Sequence, residues 1–287
     1  MVSKNYLKYT ITMMVLFFLF LAVGCPKKEN PQAGGEQQKQ MPEEIGGIER
    51  SAVEIMTQAD LIPLIERVSP VQAETITFEE TILTEVLKRE QAGQAGDDQE
   101  NEGGQNIPKD TEEAWDGIKM TLVELYNQWN TLEPLLAEEN VPSEAINEFK
   151  EALDNLTLVG TNQDYFGTLT AANQITKYLP QFMEPYANNS TPQATELKYY
   201  LRSLMLNAAI DDYSAAWENL NQLKARESSI VNDLEEQDAQ DTAEEFKSSL
   251  NNLERALDKE DVDLIKINAA IVMNNIMQIN EDLARKQ

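Results

Sequence analysis

From Gln193 to Gln287 the chain runs 95 residues without a glycine or a proline. A β domain needs turn residues every few positions, so a stretch of that length is hard to reconcile with sheets and reads as helix. The rest of the glycine pattern agrees: nine of the 12 glycines lie before residue 110. Upstream, Trp115, Ile118, Leu122, Leu125, Trp129, Leu132 and Leu136 recur at alternating spacings of 3 and 4. That is the apolar seam of a helix packed on others at a shallow angle. Pro134 falls inside this seam and predicts a kink or break near Leu132.

Start signals divide the remainder. Ser143 can cap a helix carrying Ile146, Phe149, Leu153 and Leu156. Thr161 with Asp164 can cap one carrying Phe166, Leu169, Ile175, Leu179 and Phe182. Thr191-Pro192 puts proline in the first helical turn, where its missing N–H costs nothing. The helix starting there could run to about Leu234, a length of ~65 Å at ~1.5 Å per residue, so a bend or break is expected within it. Asp241 with Glu244 resembles a capping pair ahead of Phe246, Leu250, Leu253 and Leu257. Ile265, Ala269, Val272, Ile276, Ile279 and Leu283 form the last seam. Trp129-x2-Leu132-x2-Leu135 is echoed by Trp217-x2-Leu220-x2-Leu223, and Glu148-Phe149-Lys150 by Glu245-Phe246-Lys247. The expectation for residues 110–287 is an all-α bundle of about six helices, arranged as two duplicated three-helix units. Chance similarity between amphipathic helices is the competing explanation of the echo.

Charge and missing residue types exclude much chemistry. Lys+Arg number 23 against 50 Asp+Glu, a net charge of −27, with no histidine and one cysteine. No Ser-His-Asp triad, Cys-His dyad, imidazole metal site or intramolecular disulfide can be built. The acidity disfavours nucleic acid, whose phosphates need a basic surface. Di-iron bundles commonly use Glu-x-x-His twice, which is absent here. No serine is followed by Lys at the third position, and no Gly-rich phosphate loop follows a strand. The expectation is a protein that is not an enzyme and carries no cofactor or metal.

The N-terminus has its own pattern. Lys4 and Lys8 precede the mostly apolar run Tyr9 to Val23, which ends in Leu21-Ala22-Val23-Gly24-Cys25. A basic start, a short apolar stretch and small residues form a secretory signal. The run of 15 residues at ~1.5 Å each covers only ~22 Å of a ~30 Å hydrocarbon core, too short for a spanning anchor. With the chain's lone cysteine directly after it, the segment resembles the lipobox of bacterial lipoproteins. It departs from that motif at Ala22, where a larger aliphatic is usual. The resemblance implies cleavage after residue 24 and a diacylglycerol-bearing, often palmitate-containing, Cys25. It places the body on the extracytoplasmic face of the cell membrane, held by a lipid anchor. The body is similar in general character to uncharacterised helical lipoproteins of Firmicutes, a likeness that transfers no residues.

Between anchor and bundle the composition shifts twice. Residues 25–47 carry Lys27, Lys28, Pro31, Gly34, Gly35, Pro42, Gly46 and Gly47, and read as a disordered tether. Residues 48–91 read as short amphipathic helices interrupted by Pro63 and Pro70, with Phe78, Ile82 and Val86 four apart. Packing on the main domain is favoured over docking to a partner. Residues 92–109 read as an acidic linker. An EF-hand loop starting at Asp97 would need glycine where Glu102 stands, so that calcium reading fails.

The remaining candidates are polar or soft side chains in apolar helices. Asn173, Asn207, Asn268 and Asn275, with Asn274 beside the last, could line a polar pocket inside the bundle, pair with one another, or face water. Met273, Met277 and Met205 fit core filling better than a Cu(I) site. Trp115, Trp129 and Trp217 fit core anchors better than a binding hot spot. Of the adjacent Tyr199 and Tyr200, at most one can point fully inward. The expected role is a non-catalytic interaction or scaffold module at the cell envelope, with a protein partner. The alternative is a small-ligand or cation binder with a polar pocket in the bundle.

Overall fold

The computed structural model describes residues 39–67, 81–94 and 108–285. Cys25 and the signal segment lie outside the described residues, as does Phe78. The described chain is all-helical, with no strand among these residues. Its elements are α1 (Glu43–Arg67), α2 (Thr84–Gln94), α3 (Thr111–Glu138), α4 (Ser143–Thr161), α5 (Tyr165–Thr176), α6 (Leu179–Met183), α7 (Thr191–Ala209), α8 (Tyr213–Glu236), α9 (Gln240–Leu257) and α10 (Val262–Ala284).

The helices form a bundle around a continuous apolar core. Helix α1 packs on α3 and α5, while α3 meets α4 and α4 meets α5. The second half has the same pattern: α7 packs on α8 and α10, α8 meets α9, and α9 meets α10. The halves join where α5 and α6 meet α7, and where α2 lies against α10 and α1. Every member of the α3 seam, Trp115 through Leu136, is buried. Trp129 stacks on Phe149 of α4 at 4.3 Å between ring centroids and meets Phe182 of α6 at 6.0 Å. Such aromatic pairs add about 0.5–1.5 kcal/mol beyond area burial.

Four of the turns share one device. Helices α3, α4, α7 and α8 each close on a left-handed residue: Asn140 (φ 60), Gln163 (φ 58), Asp211 (φ 62) and Asp238 (φ 61). The next amide then reaches back five residues, as from Asp164 to the Val159 carbonyl at 3.0 Å and from Asp212 to that of Asn207 at 3.0 Å. This pairing satisfies carbonyls that the helix end leaves open. At two of these turns the residue that closes one helix also caps the next. Asp164 accepts from the Gly167 amide and Asp212 from the Ala215 amide, each at 3.0 Å. The Glu260 turn (φ 52) likewise leads into Asp261, which accepts from Leu264 at 3.0 Å.

The structure departs from the sequence expectations at several boundaries. Helix α1 starts inside the expected tether, because Ile45 and Gly47 are buried on the stripe that continues through Ile48, Ala52 and Ile55. It also runs through Pro63, with Ile62 and Leu64 buried on either side. Pro134 likewise leaves α3 unbroken, since Leu132 and Leu136 are wholly buried and packing holds both flanks. Helix α2 extends to Gln94, into the expected linker. By contrast, the break expected in the long segment after Pro192 is present, at left-handed Asp211, and divides it into two helices. Three caps differ too. Asp164 caps α5 while Thr161 ends α4, α4 has Pro142 at its cap position, and Ala239 holds that place for α9. Among the described residues eight helices follow Asp110, where about six were expected.

Helix α2 is held at three points. The Asp60 carboxylate of α1, fully buried, accepts from the amides of Ile82 (2.9 Å) and Leu83 (2.8 Å) and from the Thr84 hydroxyl (2.9 Å). A carboxylate from another helix thus supplies the α2 cap. Glu90 binds inward at the middle of α2. At its end, Gly93 lets α2 approach α10 closely, since a Cβ there would fall 3.0 Å from the Met277 Cβ.

Candidate functional site

Arg202 lies in an apolar turn of α7 beside Leu201 and Leu204, yet its side chain is wholly buried. Burial of a guanidinium requires that its donors be matched. Nη1 donates to Glu90 Oε2 of α2 at 2.6 Å, Nε to Asn173 Oδ1 at 2.8 Å, and Nη2 to Thr176 Oγ1 at 2.8 Å. One turn earlier, Lys198 Nζ lies 2.8 Å from Glu49 Oε1 of α1 and 3.9 Å from Glu90 Oε1. Burial by itself would raise the Glu49 carboxyl, but Lys198, then Arg202 and Arg50, hold it below its ordinary value. The network therefore fixes α1, α2, α5 and α7 to one another.

Asn173 is the inner wall of a cleft as well as a hub of this network. Its amide oxygen accepts from Arg202, and its Nδ2 donates to the Tyr199 carbonyl (3.1 Å) and the Ser203 hydroxyl (2.9 Å). With its hydrogen bonds committed, it is a rigid floor. Above it a cleft of about 220 Å³ opens between α5, α7 and α8. Gln174 extends the floor, accepting from the Tyr199 hydroxyl at 3.3 Å.

The rim is less fully paired. Asn207, in the last turn of α7, makes no side-chain hydrogen bond among the described residues. Asn219 of α8 donates to its own helix at Ala215 (2.8 Å), which leaves Oδ1 open. Thr170, Ser203, Phe166 and Leu206 complete the lining. The rim is set by the α7–α8 turn, because the Asn207 carbonyl accepts the Asp212 amide that closes α7.

Two of the four asparagines singled out in the sequence meet here, and two do not. Asn173 and Asn207 line the cleft. Asn268 instead donates to the Leu264 carbonyl one turn back at 2.7 Å. Asn275 ties α10 to α9 through the Glu245 carbonyl at 3.1 Å. Asn274 is exposed. Sequence reading missed Gln174, Asn219, Tyr199 and Ser203 as cleft members, and missed Arg202, Lys198, Glu49 and Glu90 beneath it. The available signal was Arg202, a charge within Leu201-x2-Leu204-Met205-Leu206. Met205, Met273 and Met277 are buried among apolar neighbours. Trp115 and Trp129 are buried, while Trp217 is half-buried against the core. Tyr199 and Tyr200 are both half-buried, their rings 5.1 Å apart edge to face.

Elsewhere, a groove of about 340 Å³ lies between α1, α2 and α3. Its charged members Arg50, Glu54 and Glu124 are exposed and are not seated on a buried framework. Asp60 is buried and burial pushes its carboxyl up, against the donors of Ile82, Leu83 and Thr84. Those donors give it a structural task in capping α2. Among the described residues no three acidic side chains gather as metal ligands, and no helix is long and apolar enough to cross a membrane.

Comparison with known proteins finds no match: no family model, no curated protein and no solved structure is similar to this chain.

Proposed function

We propose that this is a lipid-anchored, extracytoplasmic, non-catalytic binding protein whose small-molecule site is the cleft between α5, α7 and α8. The observation that carries the reading is the contrast within one cleft. Asn173 at the floor accepts from buried Arg202 and donates to Tyr199 and Ser203, while Asn207 at the rim makes no side-chain hydrogen bond among the described residues. Rigid support beneath open polar groups is how a binding site is preorganised. Anchoring rests on the basic, apolar and small-residue pattern ending at Cys25. Two measurements test this. Cys25→Ser should leave the membrane fraction, and retention like wild type sinks the anchor. Native mass spectrometry of the membrane-extracted protein should find a small neutral adduct that Asn207→Leu loses. A bare protein that also binds nothing in a small-molecule screen sinks the site.

The same reading treats the body as a duplicated four-helix unit, with α1, α3, α4 and α5 corresponding to α7, α8, α9 and α10. Its support is the repeated packing order. The two Trp motifs fall on the second helices, and the two Glu-Phe-Lys motifs on the third, with Phe149 and Phe246 both wholly buried. The cleft then lies at the junction of the copies. Residues 190–287 expressed alone should be helical by circular dichroism, and a coil spectrum would speak against a unit of that size.

A second reading is docking of a protein partner. Met120 and Val123, on one face of α3, are 71% and 63% exposed. In-cell crosslinking that recovers one reproducible partner, lost in Met120→Glu, supports it. Crosslinks with no specific partner remove it.

A further inference from the structure

We propose, resting on the binding reading above, that the cleft between α5, α7 and α8 takes a neutral, polyhydroxylated ligand of monosaccharide size. Three observations lead there.

The first is charge. A quarter of the chain is Asp, Glu, Lys or Arg, yet no residue lining this cleft is charged. A desolvated ionic ligand needs an opposite charge. An anion finds no base here and faces a chain of net charge −27, and a cation finds no carboxylate. The lining selects a neutral molecule.

The second is the kind of polar group. The open rim offers the Asn207 amide, the Asn219 Oδ1 and the Thr170 hydroxyl, with the Ser203 hydroxyl deeper. Amide and hydroxyl groups both donate and accept, as does a ligand hydroxyl. A polyol can pair with such a mixed set at several points, since each of its hydroxyls can turn to either role. The Phe166 ring supplies the apolar surface against which the C–H face of a sugar ring can lie.

The third is size. The cleft measures about 220 Å³. Drug-sized ligands occupy pockets from about 300 Å³ upward. One ring with its hydroxyls matches this space better than an oligomer or a folded partner's loop.

The test is a titration of the full mature protein, followed by the ¹⁵N side-chain amide resonances of Asn207 and Asn219 and by calorimetry. Three panels are compared: neutral monosaccharides and polyols, neutral N-acetyl amino-acid amides, and charged sugar phosphates and amino acids. The expected result is saturable shifts with members of the first panel only. Asn207→Ala should weaken that binding about tenfold or more while circular dichroism stays unchanged. Phe166→Ala should weaken it further and Phe166→Tyr should restore it. If amides or charged compounds shift these resonances and sugars do not, the saccharide assignment is overturned and the binding reading stands. If no panel shifts them, both fall.

Discussion

Arg202 of α7 and Glu90 of α2 meet at 2.6 Å with both side chains wholly buried, 112 residues apart in sequence. Glu90 Oε1 has no hydrogen-bond partner among the described residues, so the carboxylate depends on Arg202 and, at 3.9 Å, on Lys198. Breaking such a pair costs more than replacing it, because one partner alone is an uncompensated buried charge. Arg202→Met should therefore destabilise by about 3–5 kcal/mol in denaturant unfolding, and Arg202→Met with Glu90→Leu should recover most of that loss. Equal instability of the single and double variants would mean that the pair contributes something other than mutual compensation.

Glu49 makes the same network sensitive to acid. Burial raises its carboxyl, but Lys198, Arg202 and Arg50 outweigh this and hold it below its ordinary value of 4.5. A depressed carboxylate stabilises the fold above the unfolded value and loses that contribution as pH falls through the folded one. Glu49→Gln should be less stable than wild type at neutral pH, with the gap closing below pH 4.5. Asp60, pushed above its ordinary 3.8, has the opposite sign: its contribution is complete below that value and weakens as pH rises through the raised one. Unfolding free energies across acid pH check both. A Glu49→Gln gap that is constant with pH contradicts the assignment.

Removal of the Asp60 carboxylate should act locally. Asp60→Ala strands the amides of Ile82 and Leu83, at about 1–3 kcal/mol for each buried unsatisfied group. Hydrogen exchange should quicken in α2 and leave α8 and α9 near their wild-type rates. Uniform acceleration across the bundle would show that α2 does not open as a separate unit.

The left-handed turns offer stabilising changes. Asp and Asn tolerate this conformation, but Gln163 (φ 58) and Glu260 (φ 52) do so at a cost. Gln163→Gly and Glu260→Gly should each raise stability by about 0.5–1 kcal/mol, read from the denaturant midpoint. A loss at either position would point to a side-chain role outweighing the backbone gain.

Helical class, the α3 seam and the buried tryptophans of α3 were legible because apolar periodicity is local. The prolines misled for the same reason: Pro63 and Pro134 cost one hydrogen bond each, while buried Ile62 and Leu64 around the first, and Leu132 and Leu136 around the second, hold the helix by tertiary contact. The left-handed closures were also hidden, since none of the five uses glycine. For the site, the asparagines marked polarity in apolar helices but not direction. Asn173 and Asn207 face the cleft, whereas Asn268 folds back on its own helix. Which way each points depends on helix rotation and on α2, whose Glu90 reaches Arg202 from far along the chain.

The most direct test of the central claim follows the Asn207 and Asn219 side-chain amide resonances during titration with a library of small neutral compounds. The account predicts saturable shifts of both with at least one compound, and no Asn219 shift in Asn207→Leu. Resonances that stay fixed throughout, in a protein that remains folded, would contradict it.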